Sequence, residues 1–184
     1  MDDPLKLAYF AGLFDGEGCI TIKRSDSAIM RDKRHKSPTY VLSIAINMTD
    51  PRPVQAMVAY FSMHGMMSTT WRARRVRPNE INWRPCYVAQ MGRRQSIDIL
   101  KALLPYLICK REEAILAIEF YERCYLSQNN LAAGRNRTRV PQWLLDLRHD
   151  YYLTLQALKR RSWPQENPEG TPNHQNDSAA SHNR

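Results

Sequence analysis

The segment from Leu5 to Gly18 constrains the fold of this chain more than any other, because it combines a helical pattern with unusually small residues. Asp3 is a favoured N-cap residue, and Pro4 suits the first helical position. The side chains from Leu5 to Phe14 are apolar or small on nearly every side, which predicts a buried helix and not an amphipathic one. Gly18 is predicted to end this helix in the left-handed conformation.

One stripe of the predicted helix carries almost no side chain. Ala8, Gly12 and Gly16 recur every four residues, so they share a face that a second backbone can approach closely. Asp15 and Glu17 follow at the helix C-terminus, where partial negative charge disfavours acids unless a cation compensates. Two such helices packed together would bring two Glu17 carboxylates into one hard-cation site beside a phosphate. The structural alternative is a tightly packed internal helix whose acids are simply exposed.

The charge of the chain favours a polyanionic partner. There are 27 lysines and arginines against 18 aspartates and glutamates, a net charge of +9. An excess of this size is typical of proteins that neutralise phosphates, although a solvated basic surface has the same composition. The chain also has four cysteines without metal-ligand or redox spacing, which we expect to be buried free thiols. They are Cys19, Cys86, Cys109 and Cys124.

The chain is predicted to form one domain, residues 1–163, followed by a disordered polar tail, residues 164–184. The tail is rich in Pro, Asn and Ser and lacks apolar periodicity. No apolar run approaches the roughly 20 residues of a membrane helix. The segment Met1–Pro4 has neither the basic nor the apolar part of a secretory signal. We therefore expect a soluble, intracellular protein.

Periodicity predicts the element order α-β-β-α-β-β-α-α-α, an α+β fold with paired strands and segregated helices. In the strand from Tyr40 to Asn47, alternate residues Leu42, Ile44 and Ile46 are expected to face the core. Ser43, Ala45 and Asn47 would then face outward. The other predicted elements are strands at 19–23, 70–75 and 86–89, and helices at 5–17, 50–61, 96–104, 111–124 and 141–161.

The segment Phe10–Gly18 resembles the LAGLIDADG motif of homing endonucleases. Five of its nine residues match outright: Ala11, Gly12, Leu13, Asp15 and Gly18. Two further segments appear in the order that the family shows, the strand that runs into Thr49-Asp50-Pro51 and residues 103–112. The resemblance covers roughly residues 5–125, and three segments in order are a stronger signal than one short motif.

The resemblance implies the LAGLIDADG αββαββα core with extra C-terminal helices. It also implies a site-specific endonuclease that cuts double-stranded DNA with Mg²⁺, at a site that Mn²⁺ or Ca²⁺ can also occupy. By the resemblance, Glu17 and Lys110 are catalytic, and Glu17 and the Gly16 carbonyl bind the metal. The family's water-positioning polar group falls on Met48 or on Asn47, and the sequence leaves both open. Glu17 occupies the position of the family's metal-binding aspartate, and its side chain is longer by one methylene group.

A single motif copy implies a homodimer that recognises a long, nearly palindromic site, because two strands need two acids. The resemblance places the dimer interface on Ala8, Ala11, Gly12, Asp15 and Gly16. The basic residues and one polar residue expected to contact DNA are Lys23, Arg24, Arg34, Ser43, Arg72, Arg74, Arg75 and Arg77. A basic edge strand that resists aggregation is the alternative for the arginines of 72–77.

Two other functions stay open for a chain with this motif. One is a DNA-binding regulator that no longer cleaves, against which the retained Glu17 and Lys110 argue. The other is an RNA maturase that helps a host intron to fold, which a basic surface would equally suit. Cleavage of DNA distinguishes the enzyme from the regulator, and preference for an intron RNA distinguishes the maturase.

Overall fold

The computed structural model describes residues 3–25, 38–67, 72–73, 85–126 and 140–161, and these form an α+β structure in the predicted order. A short 3₁₀ helix, Leu104–Tyr106, precedes the turn into the fourth helix, and a π-helical turn, Glu122–Leu126, continues that helix. The main elements are α1 Pro4–Glu17, β1 Gly18–Ser25, β2 Thr39–Met48, α2 Pro51–Met63, β3 Arg72–Ala73, β4 Tyr87–Gly92, α3 Arg93–Leu103, α4 Arg111–Tyr121 and α5 Gln142–Arg161.

The first helix begins as predicted and ends differently. The Asp3 carboxylate accepts a hydrogen bond from the Lys6 backbone N–H at 3.1 Å, and Pro4 occupies the first turn. Gly18, however, has φ −76° and ψ 156°, so it is extended and not left-handed. An added Cβ there would lie 2.4 Å from the Phe14 carbonyl oxygen. Glycine is therefore required at position 18 by close packing and not by backbone conformation.

The sheet has the strand order β1-β2-β4-β3, and each neighbouring pair is antiparallel. Ile20 pairs with Ile44, which pairs in turn with Met91, and all three are fully buried. The neighbouring apolar residues on this face, Ile22, Leu42, Ile46 and Ala89, are buried with them. The described helices that complete this core therefore lie on one side of the sheet, and we call the opposite side the open face.

The C-terminal helix α5 joins the core through aromatic and polar contacts. The Tyr40 hydroxyl and His149 Nδ1 are 3.1 Å apart, and the Arg148 guanidinium donates to the Cys124 carbonyl at 3.0 Å. Leu144, Tyr151 and Leu155 belong to the same hydrophobic core as the sheet. Because α5 packs against the edge strand β1 as well as β2, its C-terminal end reaches the region in which α1 ends.

Three expectations from the sequence need comment. The prediction of buried cysteines is right for Cys124 but wrong for Cys109, which is exposed, while Cys19 and Cys86 are intermediate. The tail, residues 164–184, lies outside the described residues. None of the helices in the described part of the chain has the length and apolar character needed to cross a bilayer.

Candidate functional site

The end of α1 is where the predicted catalytic residues meet the sheet. Gly16 and Glu17 are both exposed. Gly18 pairs with Ile46, so Glu17 and Asn47 are the next positions beyond the last pair of β1 and β2. Asn47 is exposed on the open face, whereas Met48 packs against the core. Of the two residues that the sequence left open, Asn47 is therefore the polar group beside Glu17.

Asp15 connects α1 to the turn before α4. Its carboxylate accepts hydrogen bonds from the backbone N–H groups of Ile108 at 2.7 Å, Cys109 at 3.2 Å and Lys110 at 2.9 Å. Three donors converging on one carboxylate make a strong, charge-assisted anchor. The Asp15 carboxylate is thus engaged within its own chain, and its role in a dimer interface stays a prediction. The motif predicted an acid at this position but not its partner, which lies more than ninety residues away.

The same anchor brings Lys110 to the end of α1. Its side-chain ammonium donates a hydrogen bond to the Asp15 carbonyl oxygen, in the last turn of the helix. A cation at this place compensates the partial negative charge of the helix C-terminus, which is the condition that two acids there require. The structure therefore places Glu17 and Lys110, the two predicted catalytic residues, at the same end of α1.

A second lysine and a buried acid lie close to this end of α1, and the sequence did not predict them. The Lys159 ammonium donates to the Cys19 thiol sulfur at 3.5 Å, two residues beyond Glu17. Glu113, in the first turn of α4, is only 8% exposed. Burial raises the pKa of the Glu113 carboxyl, while the positive charges of Lys159 and Lys110 oppose this rise. The only sequence signal was an acid three residues after Lys110.

The residues at the end of α1 include oxygen atoms of the kind that a divalent cation binds. Carboxylate and carbonyl oxygens, which Glu17 and Gly16 offer, are the ligands that hard divalent cations prefer. Within the described residues, however, no three His, Cys, Asp or Glu side chains are grouped closely enough to hold a metal ion. One chain thus fits a divalent cation only as one side of a site that a second copy or a phosphate would complete.

The open face carries some, but not all, of the residues expected to contact DNA. Lys23 alternates with the buried Ile22 and is exposed on this face. Arg72 pairs with Val88, which pairs with Asn47, so these three residues form one row across the open face. Among the described residues in open-face positions none is acidic. These residues are Cys19, Thr21, Lys23, Ser25, Thr39, Val41, Ser43, Ala45, Asn47, Arg72, Val88, Gln90 and Gly92.

Two expected DNA contacts are corrected by the structure. Arg24 pairs with the buried Tyr40, so the alternation of the strand places it on the side opposite to Lys23. Ser43 lies on the open face but is only 7% exposed, so little of its surface is available for a contact in one chain. The remaining residues of this prediction, Arg34, Arg74, Arg75 and Arg77, lie outside the described residues.

The outer face of α1 is exposed, and the part of it around Gly12 and Gly16 carries almost no side chain. Leu5 is 81% exposed and Tyr9 is 54% exposed, although both are large hydrophobic side chains. Ala8, Gly12 and Gly16 of the same helix are exposed as well. A Cβ added to either glycine would meet no atom within 4 Å. The expectation that α1 is buried on every side is thus wrong for a single chain.

Ala11 does not belong to this outer face. It is fully buried in the core of its own chain, together with Leu7, Phe10 and Phe14. A residue without exposed surface in one chain cannot contact a second one without unfolding. Ala11 is therefore removed from the predicted interface, while Ala8, Gly12 and Gly16 are accessible to a second chain.

Comparison with solved structures identifies the fold. No protein-family model and no curated protein matches the sequence. The archaeal intron-encoded homing endonuclease I-Vdi141I, solved in complex with DNA, is similar at a TM-score of 0.53 and 12% identity, covering 83% of this chain and 99% of that chain. The meganuclease I-SmaMI, solved with an uncleaved DNA target in the presence of calcium ions, is similar at a TM-score of 0.53 and 14% identity. That match covers 92% of this chain and 53% of I-SmaMI, so this chain spans about half of it. The chain therefore has the fold of the LAGLIDADG homing endonucleases.

Proposed function

We propose that this protein is a homing endonuclease that binds a long double-stranded DNA site through its open face and cleaves both strands with a divalent metal. The observation that carries this proposal is the convergence of Glu17, Asn47 and Lys110 at one end of α1, at the border of a face without described acids. The two solved homing endonucleases of the same fold were determined with DNA, one of them in the presence of calcium ions.

Each of the three residues has a role that suits its chemistry. The Glu17 carboxylate and the Gly16 carbonyl would hold the divalent cation, which supplies Lewis acidity at the phosphate when it is bound. The Lys110 ammonium would stabilise the negative charge that develops on the phosphate oxygens. The Asn47 amide, exposed beside Glu17, would orient the attacking water by a hydrogen bond. Mg²⁺ is the proposed ion, and Mn²⁺ is the expected substitute.

Cleavage of both strands requires two copies of this site, and we propose that they come from a two-fold dimer. The exposed outer face of α1 supports this arrangement, because its glycines leave room for an identical backbone. Two chains joined along this face would place one Glu17 near each strand. The DNA site should then be nearly palindromic, since the symmetry of the protein is repeated in the site.

The decisive experiment is a selection of cleaved sites from a randomised duplex library with Mg²⁺, with a parallel arm in EDTA. The proposal predicts a nearly palindromic consensus that is recovered only with metal. Duplex binding without cleavage in Mg²⁺ or Mn²⁺ would instead indicate a non-cleaving DNA-binding regulator. A clear preference for a structured intron RNA over any duplex in the pool would indicate a maturase.

A further inference from the structure

Lys159 lies near the end of α1, although it belongs to the C-terminal helix. Its ammonium donates to the Cys19 sulfur at 3.5 Å, and that sulfur is 3.2 Å from the Thr21 hydroxyl oxygen. Cys19 and Thr21 alternate with the buried Ile20, so both lie on the open-face side of β1. Because β1 is the edge strand of the described sheet, Lys159 reaches around this edge from the helical side.

Lys110 approaches the same end of α1 from the turn before α4, through its backbone N–H to the Asp15 carboxylate and its ammonium to the Asp15 carbonyl. Glu113, a buried acid in the first turn of α4, is close enough to Lys159 and Lys110 for their positive charges to favour its ionised form. Two lysines from different helices therefore converge on the end of α1.

We propose that Lys159 contacts a backbone phosphate of the bound DNA beside the phosphate met by Lys110. This inference rests on the proposed function, because it adds a second cation to the same site. A lysine serves this purpose as a compact point charge that needs no fixed geometry. The C-terminal helix would then belong to the DNA-binding surface and not only to the core.

The first test measures how strongly salt weakens binding to a labelled mixed-sequence duplex, with Ca²⁺ in place of Mg²⁺. Lys159→Met removes the charge and keeps the apolar stem. We expect the slope of log K against log salt to fall by roughly 0.9 for each lost phosphate contact. Lys159→Arg should keep the wild-type slope, and so should Arg160→Gln, which removes a charge from the neighbouring exposed residue. An unchanged slope for Lys159→Met, or an equal fall for Arg160→Gln, would overturn the proposal.

The second test needs no variant and so does not depend on folding. Wild-type protein is treated with an amine-acylating reagent, with and without the same duplex, and acylation of each lysine is measured by mass spectrometry. Lys159 should be protected by DNA, while Lys101, which is exposed and paired with Glu122, should react equally in both samples. Equal acylation of Lys159 with and without DNA would overturn the proposal. Neither test requires cleavage, so a protein that binds but does not cut would refute the proposed endonuclease activity and leave this inference standing.

Discussion

The two faces of α1 are both apolar, yet only one of them is used by the chain itself. The inner face packs Leu7, Phe10 and Phe14 into the core at no more than a few per cent exposure. The outer face leaves Leu5 and Tyr9 in solvent beside two glycines with open space around them. Large exposed hydrophobic residues on one helix face mark a surface that a partner covers. The inner face thus explains the fold, and the outer face is the surface on which the proposed dimer would form.

The largest effect should come from the inner face. Phe14→Ala empties a fully buried site and is expected to cost ~3–5 kcal/mol of unfolding free energy. Tyr9→Ala, on the outer face of the same helix, should cost far less in a single chain. Urea unfolding at low protein concentration measures both. Similar losses for the two variants would mean that the faces do not differ as described.

Gly12→Leu should act on association and not on the chain. It adds a side chain where one chain has nothing within 4 Å, but where the proposed partner helix lies. Overpacking of this kind costs about 1–3 kcal/mol, and a two-fold interface suffers it twice. Sedimentation at micromolar concentration should show a dimer for wild type and a monomer for the variant.

The control for this variant is Ala56→Leu, a similar enlargement at an exposed position of α2. It should leave the dimer unchanged. The Tm of wild type should also rise with protein concentration, as linkage to dimerisation requires, and that of Gly12→Leu should not. A monomeric wild type, or a Gly12→Leu dimer as stable as wild type, would rule out this interface.

Gly18→Ala tests a close contact within one chain, at the C-terminal end of α1. Its new methyl group would collide with the Phe14 carbonyl and ring within one chain. We expect a loss of about 1–3 kcal/mol that does not depend on protein concentration. Thermal unfolding at two concentrations separates this result from that of Gly12→Leu. A stability equal to that of wild type would show that the close approach of Gly18 to Phe14 is not required.

Glu113→Gln should give the smallest effect, and it should depend on pH. Burial raises the pKa of Glu113 above its ordinary value of 4.5, so the protonated form is the one that folding favours. Wild type therefore loses stability as the pH rises through this raised pKa, and the neutral glutamine does not. The Tm of the variant relative to wild type should increase as the pH rises above 4.5, the ordinary pKa of a glutamate.

Glu112→Gln is the matched control, since Glu112 is the exposed neighbour in the same turn. Its Tm difference from wild type should stay nearly constant over the same pH range. A constant difference for Glu113→Gln as well would show that its carboxyl titrates normally.

Local patterns in the sequence were sufficient for the elements and for part of the site. The alternation of Leu42, Ile44 and Ile46 correctly predicted the core face of β2, and the bare stripe correctly predicted Gly12 and Gly16 on one face. The motif misplaced Ala11, although helix geometry alone distinguishes its position from that of Gly12. Its position is one residue from Gly12, about 100° around the helix, and that turns it into the core.

The long-range contacts of the site could not be predicted in the same way. Asp15 anchors Ile108, Cys109 and Lys110, and no periodicity relates residues so far apart in the chain. Lys159 meets Cys19 only because α5 packs against an edge strand. Such contacts follow from the tertiary arrangement, and a single sequence without aligned relatives carries no direct signal of them.

Single-turnover cleavage by Glu17→Gln, on a duplex recovered from the selection, tests the central claim most directly. The substitution removes one carboxylate charge and nearly preserves volume, so the dimer and its DNA affinity should stay close to wild type. We predict that cleavage in Mg²⁺ slows by at least about a hundredfold, as expected when a group that stabilises the transition state is lost. Cleavage of both strands at the wild-type rate by Glu17→Gln would contradict the proposed metal site at the end of α1.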